Sequence, residues 1–415
     1  MRPPGEAGPS AAGSSAAGSS AAGSFTVSEE QKQLCATVRR FVSERIRPLE
    51  ADLDPDESEL EPATAAALVA ETRRMGLHNL DVPAEYGGPG IDTVTLALLA
   101  MEMSQHRAGL YAPCYGAFGG TGIAQLYDAD PAQQERYLYP VLRGEKRAFF
   151  GLTEPSGGSD PARAIRTRGV RDGNDWIING SKVFISDAHR ADFGLVFART
   201  GGAGRRGISC FIVDTDTPGF RVERVIRTLR SGACPTELSF TDMRLPAASL
   251  LGEPGGGFAL ANDALVRTRI PYSAGCIGVA VRAQALALDY VRQREVFGTT
   301  LAEHEGIQWM LVDSEIDIRA AAHLVLHAAA RADQGLPFRT ETAMAKMFAT
   351  EASARVVDRS LQVFGGYGVT KDLPFERWFR ELRIRRIGEG STETQRMIVS
   401  RHLLRAPRHK ALWED

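Results

Sequence analysis

Apolar positions along this 415-residue chain change their period twice. From Phe25 to about Arg147 they recur at helical spacing. Ser28 with Gln31 forms a capping box, Glu29 and Glu30 fill the first turn, and Leu34, Val38, Phe41, Val42 and Ile46 mark one helical face. Further helical stretches fall at 65–75, 94–104 and 131–142, separated by turns such as Glu85-Tyr86-Gly87-Gly88. Near Phe149 the period shortens. Trp176-Ile177-Ile178, Asn179-Gly180 and then Ser181–Ile185 predict a hairpin, since Asn-Gly suits a type I′ turn with positive φ at both central residues. Short β-rich runs follow at 193–198, 208–213, 220–225 and 237–240, closing near Leu251. From Phe258 the helical period returns over 258–296, 302–332, 339–363 and 375–404, which predicts an antiparallel bundle. No period of 20–50 residues repeats, which argues against a solenoid.

The expected fold class is α+β, mostly α. It comprises an N-terminal all-helical domain (25–147), a small middle β-barrel or sandwich domain (148–254) and a C-terminal four-helix bundle (255–405). Residues 1–24, rich in Gly, Ala, Ser and Pro, read as a disordered leader without the apolar core of a secretory signal, and 406–415 as a tail.

Composition narrows the function classes. A net charge of −2 gives no global field toward nucleic acid or an acidic membrane, and the basic clusters at 380–386 and 401–410 read as a solvated helix face and a ragged terminus. No apolar run reaches the roughly 20 residues of a membrane-spanning helix. Five widely spaced cysteines without a CxxC pair argue against a disulfide framework or a Cys-based zinc site and suit a reducing, cytoplasmic setting. His304-Glu305 lacks the second His of HExxH, so no metal is expected. No GxGxxG follows a strand, and neither GxxxxGK[ST] nor GxSxG occurs.

Four segments carry the candidate chemistry. The first is Gly151-Leu152-Thr153-Glu154-Pro155-Ser156-Gly157-Gly158-Ser159-Asp160, whose small residues let backbone N–H groups approach an anion. The second is Phe184-Ile185-Ser186. The third is Arg294-Glu295-Val296-Phe297-Gly298 followed by Glu303-His304-Glu305-Gly306-Ile307-Gln308. The fourth is Gln362-Val363-Phe364-Gly365-Gly366-Tyr367-Gly368, then Ile387-Gly388-Glu389-Gly390-Ser391-Thr392-Glu393. Read alone, Phe184 is a strand core residue, the Gly-Gly-Tyr-Gly run a helix C-terminal turn, and Glu389 a surface carboxylate. In this order and spacing, from about Phe25 to Leu404, they resemble the flavin-dependent acyl-CoA dehydrogenase family.

The resemblance implies FAD as cofactor and an acyl-CoA as substrate. It implies that the backbone at Leu152 and Thr153 bonds the flavin ring and that Ser159 lies near the flavin pyrophosphate and the CoA. Phe184 would pack on the flavin and Ser186 bond its N5. Arg294 would contact the pyrophosphate, where a guanidinium fork fits phosphate oxygens, and Phe297 the adenine side. Glu305 stands where the family usually has Gln, and an ionised carboxylate cannot donate a hydrogen bond, which leaves that contact open. Gln362, Gly365 and Gly366 would approach the flavin of a neighbouring subunit, implying a homotetramer or homodimer. Ser391 and Glu393 correspond to further cofactor contacts.

Glu389 corresponds to the family's catalytic base. The α C–H of a thioester is a weak acid, so its removal needs a stabilised enolate oxygen and a carboxylate whose pKa a dry pocket has raised. Some relatives carry the base on the first long bundle helix, directly before an Arg; here that dipeptide is Thr268-Arg269, and threonine cannot serve. Arg269 and Gly390 are candidates for substrate contact. The resemblance also implies an electron-transfer flavoprotein as acceptor. A carrier-protein-linked acyl substrate and a DNA-associated flavoprotein of the same fold remain alternatives.

Overall fold

In the computed structural model, residues 25–120, 122–232 and 235–405 are described; the expected leader and tail, and Cys234, lie outside them. Helix α1 (Glu29–Phe41) opens with the capping box: Gln31 N donates to Ser28 Oγ at 3.1 Å, and Ser28 N donates to Gln31 Oε1 at 2.9 Å. Beyond Phe41 the chain continues through a π turn, Val42–Ile46, which keeps Phe41, Val42 and Ile46 on the buried side. Helices α2 (Pro62–Arg74) and α3 (Thr93–Met103) complete the main N-terminal elements. One apolar cluster joins Val38 of α1 and Leu99 of α3 to Ile277, Val325 and Ala349 of the C-terminal helices, so the first and last parts of the chain share a core.

Between them lies one eight-stranded sheet: β1 (Ala148–Gly151), β2 (Arg168–Asp172), β3 (Asp175–Ser186), β4 (Phe193–Arg199), β5 (Ile208–Asp214), β6 (Phe220–Val225), β7 (Pro235–Leu245) and β8 (Leu250–Leu251). The order is β6-β7-β3-β2-β4-β5-β8, with β1 parallel beside β4. Both faces of β4 are covered. Leu195 and Phe197 pack with Tyr137 and Leu138 on one side, and Val196 and Ala198 with Trp176 and Ile178 on the other.

The predicted hairpin at Asn179-Gly180 is not there. These residues lie inside the continuous strand β3, and the turn falls earlier, between Asp172 and Asp175, with Gly173 at φ 61°. Asn179-Gly180 is instead a bulge against β7. The Asn179 side chain pairs with Asp242 (Asp242 N to Asn179 Oδ1, 2.8 Å), and a Cβ on Gly180 would meet Thr167 Oγ1 at 2.5 Å. Only Gly180 takes a positive φ, 151°, so the conformational freedom of the glycine alone is used, to bend a strand.

The C-terminal helices are α4 (Gly257–Gln293), α5 (Glu305–Asp333), α6 (Arg339–Phe364), α7 (Phe375–Arg385) and α8 (Thr392–Arg405). By length and composition α4 would pass for a membrane span, yet 61% of its most apolar stretch is buried in the protein. Its small residues admit close neighbours: a Cβ on Gly278 would sit 2.0 Å from Met101 O of α3. The fourth expected helix, 375–404, is two helices. The break carries Glu389 at φ 57° and Gly390 at φ 86°, so Glu389 sits in a loop before the last helix.

Candidate active site

The predicted site residues form three groups, and no hydrogen bond or ion pair among the described residues joins one to another. The first is an edge of the sheet. Val183 N donates to Thr153 O at 3.0 Å, which ties the end of β1 to the end of β3 and brings Leu152 and Thr153 beside Phe184 and Ser186. Phe184 sits at φ 59° in a second β3 bulge and is 61% exposed; Ser186 is also exposed. The read-alone placement of Phe184 in a strand core is therefore wrong, because the bulge turns it outward. Ser159 lies on the exposed loop beyond Glu154.

Beneath this edge lies a buried pair that sequence reading missed. Lys182 Nζ donates to Glu154 Oε1 at 2.7 Å, Leu152 O at 3.2 Å and Phe197 O at 2.6 Å. Glu154 also accepts from Arg166 N and Thr167 N. Burial works to raise the Glu154 carboxyl, but Lys182 and these donors outweigh it and hold it below the ordinary range. Desolvation brings Lys182 down to about 8. The signal was a lysine on the inward side of a strand, beside Ile178.

The second group surrounds Glu389. Arg269 Nε donates to Glu389 O at 2.8 Å, and Gln395 Nε2 to Gly390 O at 2.8 Å. Lys346 Nζ donates to Gly390 O at 2.9 Å and Arg386 O at 3.3 Å. The Glu389 carboxylate receives only a long bond from Thr268 Oγ1, at 3.4 Å. Desolvation therefore pushes its carboxyl up, and Arg269, Arg385, Thr268 and Lys346 oppose this without cancelling it. Burial also lowers Lys346, to about 8. Lys346 and Gln395 are fully buried and were not foreseen. A lysine among Thr342, Ala343, Ala345 and Ala349 on the core face of α6 was the available signal. Ser391 caps α8, with Thr394 N donating to its Oγ at 3.3 Å, and Glu393 is exposed in the first turn.

The third group is a cleft of about 500 Å³ lined by Tyr290, Arg294, Val296, Gly365, Gly366 and Tyr367, among others. It unites the third segment with the first half of the fourth. Phe297-Gly298 is the tight turn between β9 (Glu295–Val296) and β10 (Thr299–Thr300), and Phe297 is 98% exposed. Gln362 is exposed one turn before Gly365, where α6 ends at φ 59°. Glu305 is the first residue of α5, exposed, where its charge suits the helix dipole. A further concavity of about 660 Å³ is lined by Arg205, Arg339, Thr340, Ile398, Arg401, His402 and Arg405. Arg401 and Arg405 thus line a cavity, and the ragged-terminus reading does not hold for them.

Three family models cover nearly the whole chain. They are the acyl-CoA dehydrogenase N-terminal domain (residues 28–145), middle domain (149–243) and C-terminal domain (255–404). The chain is 37% identical to an acyl-CoA dehydrogenase of Bacillus subtilis over 91% of its own length and 99% of that protein. It is 34% identical to a short-chain specific acyl-CoA dehydrogenase of Clostridium acetobutylicum, over 92% and 100%. It superposes on the butyryl-CoA dehydrogenase of Megasphaera elsdenii with a TM-score of 0.81 at 30% identity, covering 92% of this chain and 100% of that one. The chain belongs to the acyl-CoA dehydrogenase family. It is an oxidoreductase acting on CH–CH bonds, and its cofactor is FAD.

Proposed function

We propose that the chain dehydrogenates an acyl-CoA across its α and β carbons, with Glu389 taking the α proton; FAD, when held, would supply the acceptor of the β hydride at its N5. The observation that carries this is the arrangement around Glu389. Two of its neighbouring cations, Arg269 and Lys346, are bonded to backbone carbonyls, so the loop is fixed while the carboxylate keeps only the long Thr268 bond and a raised pKa. The Thr268 hydroxyl at 3.4 Å supports the sequence argument, because the alternative base position faces the same point in space.

The residues present fit FAD. Phe184 and Ser186 offer an exposed aromatic face and a hydroxyl at a sheet edge. Gly365 and Gly366 leave open space where a Cβ would stand, next to the Arg294 guanidinium that would meet phosphate. The cleft around Arg294 is built separately from the Glu389 loop, and Phe297 projects fully into solvent. This supports a cofactor shared between copies, and so a homodimer or homotetramer. The arginine-lined concavity supports CoA as the thioester carrier: Arg401 lies about 15 Å along α8 from the Glu389 loop at 1.5 Å per residue, and the cluster would receive the nucleotide phosphates. An electron-transfer flavoprotein as acceptor and a cytoplasmic location complete the reading.

The test is anaerobic mixing with an acyl-CoA. The flavin should bleach in the parent enzyme, while Glu389→Gln should bind flavin and lose bleaching by about a thousandfold. Bleaching at the parent rate in the variant would remove Glu389 from the role of base.

A further inference from the structure

Beside the Glu389 loop, where the N-terminal helices meet α4 and α7, a guanidinium is buried without a partner. Arg385 is 7% exposed. Its planar head stacks between two rings, 3.9 Å from the Tyr272 centroid and 4.4 Å from that of Tyr111. Arg230 covers the other contact of Tyr111, at 4.3 Å. The Nε atoms of both arginines are buried with no hydrogen-bond partner. Among the described residues no carboxylate reaches ion-pair distance of Arg385, and none of its side-chain nitrogens makes a hydrogen bond. An orphaned buried charge of this kind is costly, and structures keep one where something else completes it.

The position is tied to the base. Thr268 and Tyr272 lie four residues apart on one face of α4. Thr268 reaches the Glu389 carboxylate, and the Tyr272 hydroxyl donates to Arg385 O at 3.3 Å. A Cβ on Gly388 would stand 2.8 Å from that same hydroxyl, so the small residue before Glu389 keeps this side open for the Tyr272–Arg385 stack. The acid beside it is Glu381, which accepts from Arg377 through Oε1 at 3.1 Å while its Oε2 is buried without a hydrogen-bond partner, so three arginines, Arg230, Arg377 and Arg385, surround one carboxylate and none of them fills its second oxygen. Burial disfavours the Arg385 charge, but Tyr272, Tyr111, Cys276 and Glu381 outweigh this and the group stays protonated.

We infer that Arg385 is a specificity residue for the acyl end of the substrate: it pairs with a carboxylate carried by the acyl chain, so the preferred substrate is a short dicarboxylic acid bound to CoA through one of its two carboxyl groups. This rests on the acyl-CoA reading above and narrows it. A plain hydrocarbon chain placed here would leave the charge unpaired. A terminal carboxylate would accept from the guanidinium fork and offset the excess of positive charge. The stacking tyrosines fix the guanidinium plane, so little side-chain freedom remains to be lost on binding.

The experiment compares glutaryl-CoA with valeryl-CoA, and adipyl-CoA with hexanoyl-CoA, by anaerobic flavin bleaching of the FAD-loaded enzyme. The carboxylated member of at least one pair should lead in kcat/KM by about tenfold or more. Arg385→Met should shift the rate on both members through Glu389 but collapse the ratio between them, and Arg385→Lys should keep part of that ratio. A parent enzyme that prefers the neutral member of both pairs would overturn the inference, with Arg385 then serving Glu381 alone. This holds even where the variants fail to fold. If no thioester bleaches the flavin, the acyl-CoA reading fails, and this inference with it; bleaching by the neutral members alone defeats only the inference.

Discussion

Two glutamates in this protein, Glu154 buried and Glu389 half-buried, each lie near a buried lysine, and they meet opposite fates. Glu154 takes its lysine directly: Lys182 Nζ stands 2.7 Å from the carboxylate, backbone amides add further bonds, and the acid is held ionised. Glu389 does not. Lys346 and Arg269 spend their donors on the carbonyls of Gly390 and Glu389, and the carboxylate is left with one long bond and a raised pKa. The lysines are alike, both brought to about 8 by burial. A buried lysine nearby therefore does not by itself set the state of a carboxylate. What separates a structural acid from a basic one is whether the neighbouring cation bonds the carboxylate or the backbone that carries it.

The comparison can be broken at four places. The largest effect belongs to Glu389→Gln, which should cost about a thousandfold in anaerobic flavin bleaching, while Glu154→Gln should change that rate through stability only. Next is Lys182→Met, which strands Glu154 as an unpaired buried charge. It should lower stability by about 3–5 kcal/mol in denaturant unfolding of the loaded enzyme, and Glu154→Gln added to it should recover part of the loss. If the double variant is no better than the single one, the pair is not what holds this edge. Lys346→Met should act on the other site in a different currency. Loss of its bonds to Gly390 O and Arg386 O should cost about 1–3 kcal/mol and slow bleaching, since the loop that carries Glu389 loosens. An unchanged rate would show that the loop is held without it.

The smallest effects are read by pH. Glu154 has a lowered folded pKa, so its contribution to stability is present above the unfolded value of 4.5 and is lost as pH falls below it. Glu389 has a raised one, so ionising it costs stability as pH rises past 4.5 and through the folded value. Glu389→Gln should thus be more stable than the parent at pH 7, with the difference vanishing toward pH 4, whereas Glu154→Gln should be less stable at pH 7. Equal differences at both pH values would contradict the assignment. Thr268→Val removes a bond that lowers the Glu389 pKa, so the acid limb of the bleaching rate should move to slightly higher pH.

Helical period was legible where an apolar face met a core, as at Val38, Phe41, Val42 and Ile46. It failed where a local signal had two uses. Asn179-Gly180 suits a type I′ turn, but a bulge uses the same glycine with only Gly180 at positive φ; the partner strand β7 decided between them. The span 375–404 kept its helical pattern across a break, because the residues that interrupt it at 388–390 are few. Phe184 looked like core for the same reason: alternation cannot report a second bulge that turns a side chain outward.

The chain itself determined its three parts, its motif order and the identity of the carboxylate between two glycines, since these follow from residue type and spacing. Its sequence could not say where the cations near that carboxylate would aim their hydrogens. Lys346 lies 43 residues before Glu389 and Arg269 lies 120 before it, and Lys182 is equally remote from Glu154 in kind, 28 residues on. Only the packing of α4, α6 and the loop before α8 turned those donors onto backbone oxygens, because a buried N–H bonds the acceptor that geometry presents. The same packing left Arg385 between two tyrosine rings, its buried Nε without a hydrogen-bond partner among the described residues.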